Sequence, residues 1–175
     1  RSSAPVAGFA RSVAERPPRL ACVVSLSVCR SRSVLLPCTG IVNLDFSAGG
    51  SVLLASCESS GQLVKVDVQR ERIVRTLTLR TGAAPQDVKL SPDGRTFYVA
   101  DMMSNGVWLI DARTLKKIRL QPTGRGAHGL YPSRDASVLY VSNRGEGTIS
   151  LISFRTRKPV RRWKIPGGAS PDTGG

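Results

Sequence analysis

The strongest constraint on this chain is that its sequence repeats itself. Val42-Asn43-Leu44-Asp45-Phe46-Ser47-Ala48-Gly49-Gly50 aligns with Asp87-Val88-Lys89-Leu90-Ser91-Pro92-Asp93-Gly94, and both align with Gly129-Leu130-Tyr131-Pro132-Ser133-Arg134-Asp135-Ala136. The anchoring serines, Ser47, Ser91 and Ser133, lie 44 and 42 residues apart. A period of this size marks one structural unit that cannot bury its apolar face alone, so neighbouring units must stack.

Within each unit a short apolar run, a polar turn, a second apolar run, another turn and a charged run follow in order. In the second copy these are Thr96–Ala100, the loop Asp101-Met102-Met103-Ser104-Asn105-Gly106, Val107–Ile110, and Leu115–Leu120. With the strand that leads into the serine turn, this predicts four strands per unit. The middle runs are almost continuously apolar, as in Val52-Leu53-Leu54-Ala55 and Val138-Leu139-Tyr140-Val141. Strands of that kind are covered on both faces. Small four-stranded sheets stacked face to face at this period predict an all-β chain built as a β-propeller. The blades are expected at about residues 40–85, 86–128 and 129–175. Three blades do not close a ring, so the fold is expected to be incomplete, with the missing blades of a longer chain as the natural partners of this one.

Turn chemistry agrees. In Ser91-Pro92-Asp93-Gly94 proline presets φ and glycine accepts the positive φ that follows. Asp67 and Asp111, each ending a third strand, are placed to cap the next turn, and Ser153 is the weaker equivalent in the third copy.

Tyr98-Val99-Ala100-Asp101 and Tyr140-Val141-Ser142-Asn143, each following the serine turn and followed by Val-Trp-Leu-Ile-Asp or Ile-Ser-Leu-Ile-Ser, resemble the bacterial YVTN β-propeller repeat family over residues 40–175. The first copy departs from the signature, with Leu54-Ala55-Ser56-Cys57. The resemblance implies a ring commonly of seven blades and an extracytoplasmic, periplasmic or secreted location. It implies no single activity, because members share a scaffold.

Residues 1–38 differ in composition, with six Arg against one Glu and three of the four cysteines, Cys22, Cys29 and Cys38. Three readings stay open: the outer two strands of a preceding blade, a mis-framed or unrelated upstream segment, and an export signal ending in Leu26-Ser27-Val28-Cys29. Residues 1–19, with Pro17-Pro18 and no apolar period, are expected to lack order. The cysteine separations match no zinc pattern, and export would permit a pair such as Cys38 with Cys57.

The net charge of +14 collects in the fourth strands and their turns, including Arg70, Arg72, Arg75, Lys116, Lys117, Arg119, Arg155, Arg157, Arg161, Arg162 and Lys164. Charged side chains on an outer edge strand block pairing with other chains, and this is the expected role. Aromatic residues are 5% of the chain and fall mainly in buried runs, which argues against a base-stacking platform and against a nucleic-acid partner. No apolar run approaches the roughly eighteen residues of a membrane-spanning helix. Gly124-Arg125-Gly126-Ala127-His128-Gly129 has the letters of a dinucleotide fingerprint but leads into a strand, where no helix dipole is available for a pyrophosphate.

Two residues, Gln86 and His128, fall at the start of innermost strands near the channel mouth. The loops on that face bring Glu58, Asp101, Asn105, Asn143, Arg144 and Glu146, with Asp87 just inside. This is a mixed polar rim suited to a protein or small polar ligand, with no catalytic or metal-binding set and no cofactor expected. The single histidine leaves one alternative open, an oxidoreductase-type propeller holding haem near His128. The last sheet of the piece is expected to leave an apolar face uncovered, including Leu151 and Ile152.

Overall fold

The computed structural model describes residues 23–28 and 30–172. The expectation for residues 1–19, and those for Cys22 and Cys29, lie outside the described residues. Strands β1 (Val23–Val28) and β2 (Arg30–Leu35) form an antiparallel pair. Three four-stranded antiparallel sheets follow. The first is β3 (Ile41–Phe46), β4 (Val52–Cys57), β5 (Gln62–Asp67) and β6 (Arg72–Thr78). The second is β7 (Pro85–Leu90), β8 (Thr96–Asp101), β9 (Gly106–Asp111) and β10 (Lys117–Pro122). The third is β11 (Ala127–Pro132), β12 (Val138–Asn143), β13 (Thr148–Ser153) and β14 (Pro159–Lys164). Each sheet is a meander, and the first strands β3, β7 and β11 pack beside one another at the inner edge. Among the described residues the only helical turn is Pro166–Gly168.

The core lies between sheets, and the alternation of side chains along a strand explains how. On β8, Phe97 and Val99, with Ile110 of neighbouring β9, face the first sheet and pack with Leu54, Leu63 and Leu79. Tyr98 and Ala100 face the third, packing with Leu130, Leu139, Val141 and Ile152. On β4, Leu53 and Ala55 turn the other way and pack with Val34, Leu36 and Cys38 beside the β1–β2 pair. The uninterrupted apolar runs therefore serve two interfaces at once.

Three serine turns link first to second strands. Ser47, Ser91 and Ser133 accept the N–H of Val52, Thr96 and Val138 at 3.1, 3.0 and 3.0 Å. The residue three on is left-handed each time: Gly50 at φ +67°, Gly94 at +70° and Ala136 at +56°. Only glycine takes that conformation without a Cβ clash, so the third turn is strained. Ala136→Gly should raise stability by about 0.5–1 kcal/mol, or a melting temperature rise of about 2–3 °C, after the extra freedom of glycine in the unfolded chain is subtracted. Gly94→Ala should lower it, since its Cβ would also sit 3.2 Å from that of Ala48.

The turns after the third strands close as expected. Asp67 and Asp111 accept the N–H of Arg70 and Thr114 at 2.9 and 2.7 Å, while Ser153 accepts that of Thr156 at a longer 3.4 Å. Asp67 is held below the usual carboxylate range chiefly by the Arg70 N–H, Asp111 by the Thr114 hydroxyl, and Asp93 and Asp135 by the hydroxyls of Ser91 and Ser133. A depressed folded pKa contributes stability that is complete above the unfolded value of about 3.9 and is lost as pH falls through the folded values. Thermal melts should therefore be flat in this contribution above about pH 5 and fall steadily below about pH 4.

Charged groups also cross between sheets. Asp45 and Asp87 each accept a backbone N–H from the next inner strand, those of Leu90 and Leu130, at 2.7 and 2.8 Å. The buried Lys65 donates to the carbonyls of Ala112 and Arg113, both at 2.8 Å, and burial lowers its pKa against the opposing pull of Asp111. On the outer strands, Arg75 donates to Thr114 O, Lys117 to Leu79 O, and Arg119 to Arg157 O. These basic residues thus pin neighbouring sheets together in addition to decorating the edge, a role that periodicity alone did not assign to them.

The last face differs in detail from the expectation. Ile152 is fully buried toward the second sheet, and Leu151 is only 7% exposed. Tyr140 and Trp163 meet with ring centroids 5.5 Å apart, and Trp163 pairs across from Ile149. Two aromatic rings of the third sheet cover part of its own open side.

Candidate functional site

The loops that lead into the inner strands and those between second and third strands come together at one end of the stack. Two inner-strand residues, Gln86 and His128, and Asp172 beyond the last strand lie at its mouth. Gln86 is buried and donates to Ala84 O at 3.2 Å. His128 is half-buried, its Nδ1 3.3 Å from Asp172 Oδ1 at an angle that makes no hydrogen bond. Asp172 was missed in the sequence as a site residue. Gly168-Ala169-Ser170-Pro171 repeats Gly82-Ala83-Ala84-Pro85, which puts Asp172 at the position of Gln86 and His128. Its second oxygen lies 3.7 Å from the Arg144 guanidinium, and Ser170 donates to Arg144 O at 2.9 Å.

The expected carboxylates are mostly committed to the scaffold. Asp87 Oδ1 accepts from Val88 N at 2.7 Å and from Lys89 Nζ at 3.1 Å, and its other oxygen joins the second sheet to the third. Asp101 is completely buried, with Oδ1 accepting the N–H groups of Ala84, Met103 and Ser104 at 3.0–3.1 Å. Its Oδ2 accepts the Ser104 hydroxyl at 2.5 Å and Trp108 Nε1 at 2.9 Å. Glu146 accepts Arg125 N at 2.8 Å and Arg162 at 2.9 Å. Glu58 is half-buried at the turn after β4, where its N–H donates to Gly40 O at 2.7 Å.

The amides shape the loops. Asn105 adopts φ +53° and accepts Gly126 N at 3.0 Å. Asn143 donates to Thr148 and Ser150 at 3.0 and 2.9 Å, while its buried Oδ1 has no partner among the described residues. Asn143, Asp101 and Cys57 occupy one register position, each opposite the first residue of its inner strand, Ala127, Pro85 and Ile41. In the first sheet the tie at this place is covalent: Cys57 is bonded to Cys38, with Cα atoms 6.0 Å apart.

The glycine-rich segment enters β11 without a helix. A Cβ on Gly124 would meet Glu146 and Asn143 at 2.6–2.7 Å, and one on Gly126 would meet Gly145 N at 2.6 Å. These glycines permit close loop packing, and no phosphate cradle is needed to explain them. A haem beside His128 would need a broad apolar slot over its axial ligand. His128 here faces through Nδ1 the Asp172 carboxylate, which the Arg144 guanidinium also approaches, at a polar rim. Among the described residues no three metal-ligating side chains come together, and no helix is long and apolar enough to cross a membrane.

No family model and no curated protein matches the chain. Solved structures do. Kuenenia stuttgartiensis hydrazine synthase is 23% identical with a TM-score of 0.66, covering 75% of this chain and 37% of its own. The β-propeller domain of Myceliophteria thermophila Cps50 (Swd1) is 20% identical with a TM-score of 0.65, covering 79% and 46%. The WD40 repeats of RRP9 are 13% identical with a TM-score of 0.71, covering 83% and 44%. The three sheets are β-propeller blades. The chain spans less than half the length of the structures it matches, and at these identities the likeness shows the fold alone. The mouth described above lies at one end of these three blades, beside their inner strands.

Proposed function

We propose that this chain is part of a non-enzymatic propeller scaffold that presents its channel mouth and upper loops to a protein or small polar ligand. The observation that carries the reading is the fate of the carboxylates on that face. Asp87, Asp101 and Glu146 spend their oxygens on backbone N–H groups and structural side chains, so none is poised as a general acid, base or nucleophile. What remains toward solvent is a mixed rim of Arg125, His128, Arg144 and Asp172 on rigid blades, which suits recognition. The finer reading is a bacterial YVTN-type propeller, supported by the Tyr-Val-x-Asp/Asn signature at the ends of β8 and β12. The Cys38–Cys57 bond fits an oxidising, extracytoplasmic compartment. The β1–β2 pair fits the outer half of a preceding blade, and further blades complete the ring.

Visible absorbance of the purified protein tests this reading against the redox alternative. A colourless protein with a cooperative melt is expected. A Soret band that disappears in His128→Ala would overturn it.

A further inference from the structure

At the opposite end of the stack, the turn between first and second strands of one blade meets the turn between third and fourth strands of the next. This junction occurs twice, so one copy serves as an internal control for the other. Between the first and second blades it is closed. Leu115, left-handed at φ +56°, is buried in the inter-blade core, and Lys65 fills the turn by donating to Ala112 O and Arg113 O.

Between the second and third blades the same turn keeps its backbone and changes its side chains. Arg157 N donates to Ser153 O at 2.7 Å as Leu115 N does to Asp111 O at 2.8 Å, and φ is +57°. Yet Arg157 replaces the buried leucine, Phe154 replaces Ala112, and by strand register Leu109 replaces the plugging Lys65. The result is an open cleft of about 260 Å³ lined by Ser91, Pro92, Asp93, Phe154, Arg155 and Arg157. Phe154 packs edge-on against Tyr98, at 5.4 Å, beneath it. Arg157 lies 3.7 Å from Asp93, whose Oδ1 is already taken by the Ser91 hydroxyl and Arg95 N. Behind Arg157, the buried Nε of Arg119 has no acceptor among the described residues.

We propose that this cleft binds an extended peptide through an acidic side chain flanked by an apolar one. Two guanidiniums at the rim match a carboxylate, and the walls of Pro92 and Phe154 take an apolar neighbour. Asp93 decides between anions. Its negative charge beside Arg157 suits a singly charged carboxylate that brings backbone N–H donors with it and disfavours the more highly charged phosphate. The cleft's volume suits one or two side chains. The proposal concerns the lower face and is independent of the reading of the channel mouth.

The test is fluorescence anisotropy of the full 175-residue chain with a fluorescein-labelled octapeptide carrying one Glu beside one Leu in a Gly/Ser background. Saturable binding is expected, weakened about tenfold by Glu-to-Gln exchange in the peptide and by Arg157→Leu, which installs the residue of the equivalent turn. Arg155→Gln, an exposed substitution, should weaken it at least threefold and carries the test if the leucine variant loses its cooperative melt. Arg144→Gln on the upper face should leave it unchanged, which separates this proposal from the channel-mouth reading. Absence of binding, equal binding by the Gln peptide, unchanged affinity in both arginine variants, or displacement by inorganic phosphate at lower concentration than by unlabelled peptide would overturn it.

Discussion

Asp101→Ala should cost on the order of 3–5 kcal/mol, the largest effect expected of any single polar substitution here. The carboxylate is fully buried and accepts from three backbone N–H groups, a hydroxyl and an indole. Alanine would leave these donors facing a small cavity without acceptors, and each orphaned donor is expensive when water is excluded. Asp101→Asn keeps one oxygen and should cost much less, about 1–2 kcal/mol, because Asn143 already works at the same position in the third blade. Chemical denaturation of the three proteins checks the order. Equal stability of wild type and the alanine variant would mean that the loop after β8 is not organised as described.

Replacing Cys38 and Cys57 together by serine or alanine should be the second large effect. Closing a loop of 19 residues removes unfolded-state entropy worth about 3 kcal/mol in the chain-entropy account. Both cysteines are also buried against the first blade's core, so alanine should cost less than serine, whose hydroxyls would find no partner there. Denaturation of the oxidised protein, the reduced protein and the double alanine variant should show reduced and variant proteins alike and both weaker than the oxidised form. Identical midpoints for all three would show that the bond contributes nothing to the fold.

The fold was legible because the repeat is written in residues with one physical reason each. Ser47, Ser91 and Ser133 mark a turn whose geometry needs a hydroxyl acceptor and a positive φ three residues later, and the copies recur in phase with runs that are apolar on both faces. The ties between blades were not legible. Arg75 and Arg119 look like surface charge in sequence and Lys65 interrupts an apolar run, since nothing local says that a carbonyl of the next repeat lies within reach. The candidate site was legible in part. His128 and Gln86 fall at the channel mouth because they start inner strands, but Asp172 sits after a helical turn near the end of the sequence. Its only signal was the match of Gly-Ala-Ser-Pro to Gly-Ala-Ala-Pro. Asp101 and Asp87 could not be assigned to scaffold work beforehand, because a carboxylate reads the same in sequence whether its oxygens face solvent or buried donors. The change from Leu115 to Arg157 carries no meaning in sequence, because only the packing of the junction shows that one is buried and the other lines a cleft.

The central claim is that each blade is stabilised by the faces of its neighbours more than by its own strands. Native-state hydrogen exchange resolved to individual strands tests it most directly. The second blade is covered on both sides, whereas β14 is exposed along its whole length and the third blade is roofed on one side only by Tyr140 and Trp163. Protection should therefore be highest in β8 and β9, lower in β12 and β13, and lowest in β14. Protection of β12 and β13 equal to that of β8 and β9 would contradict the claim, because it would show blades that hold together without a neighbour on each face.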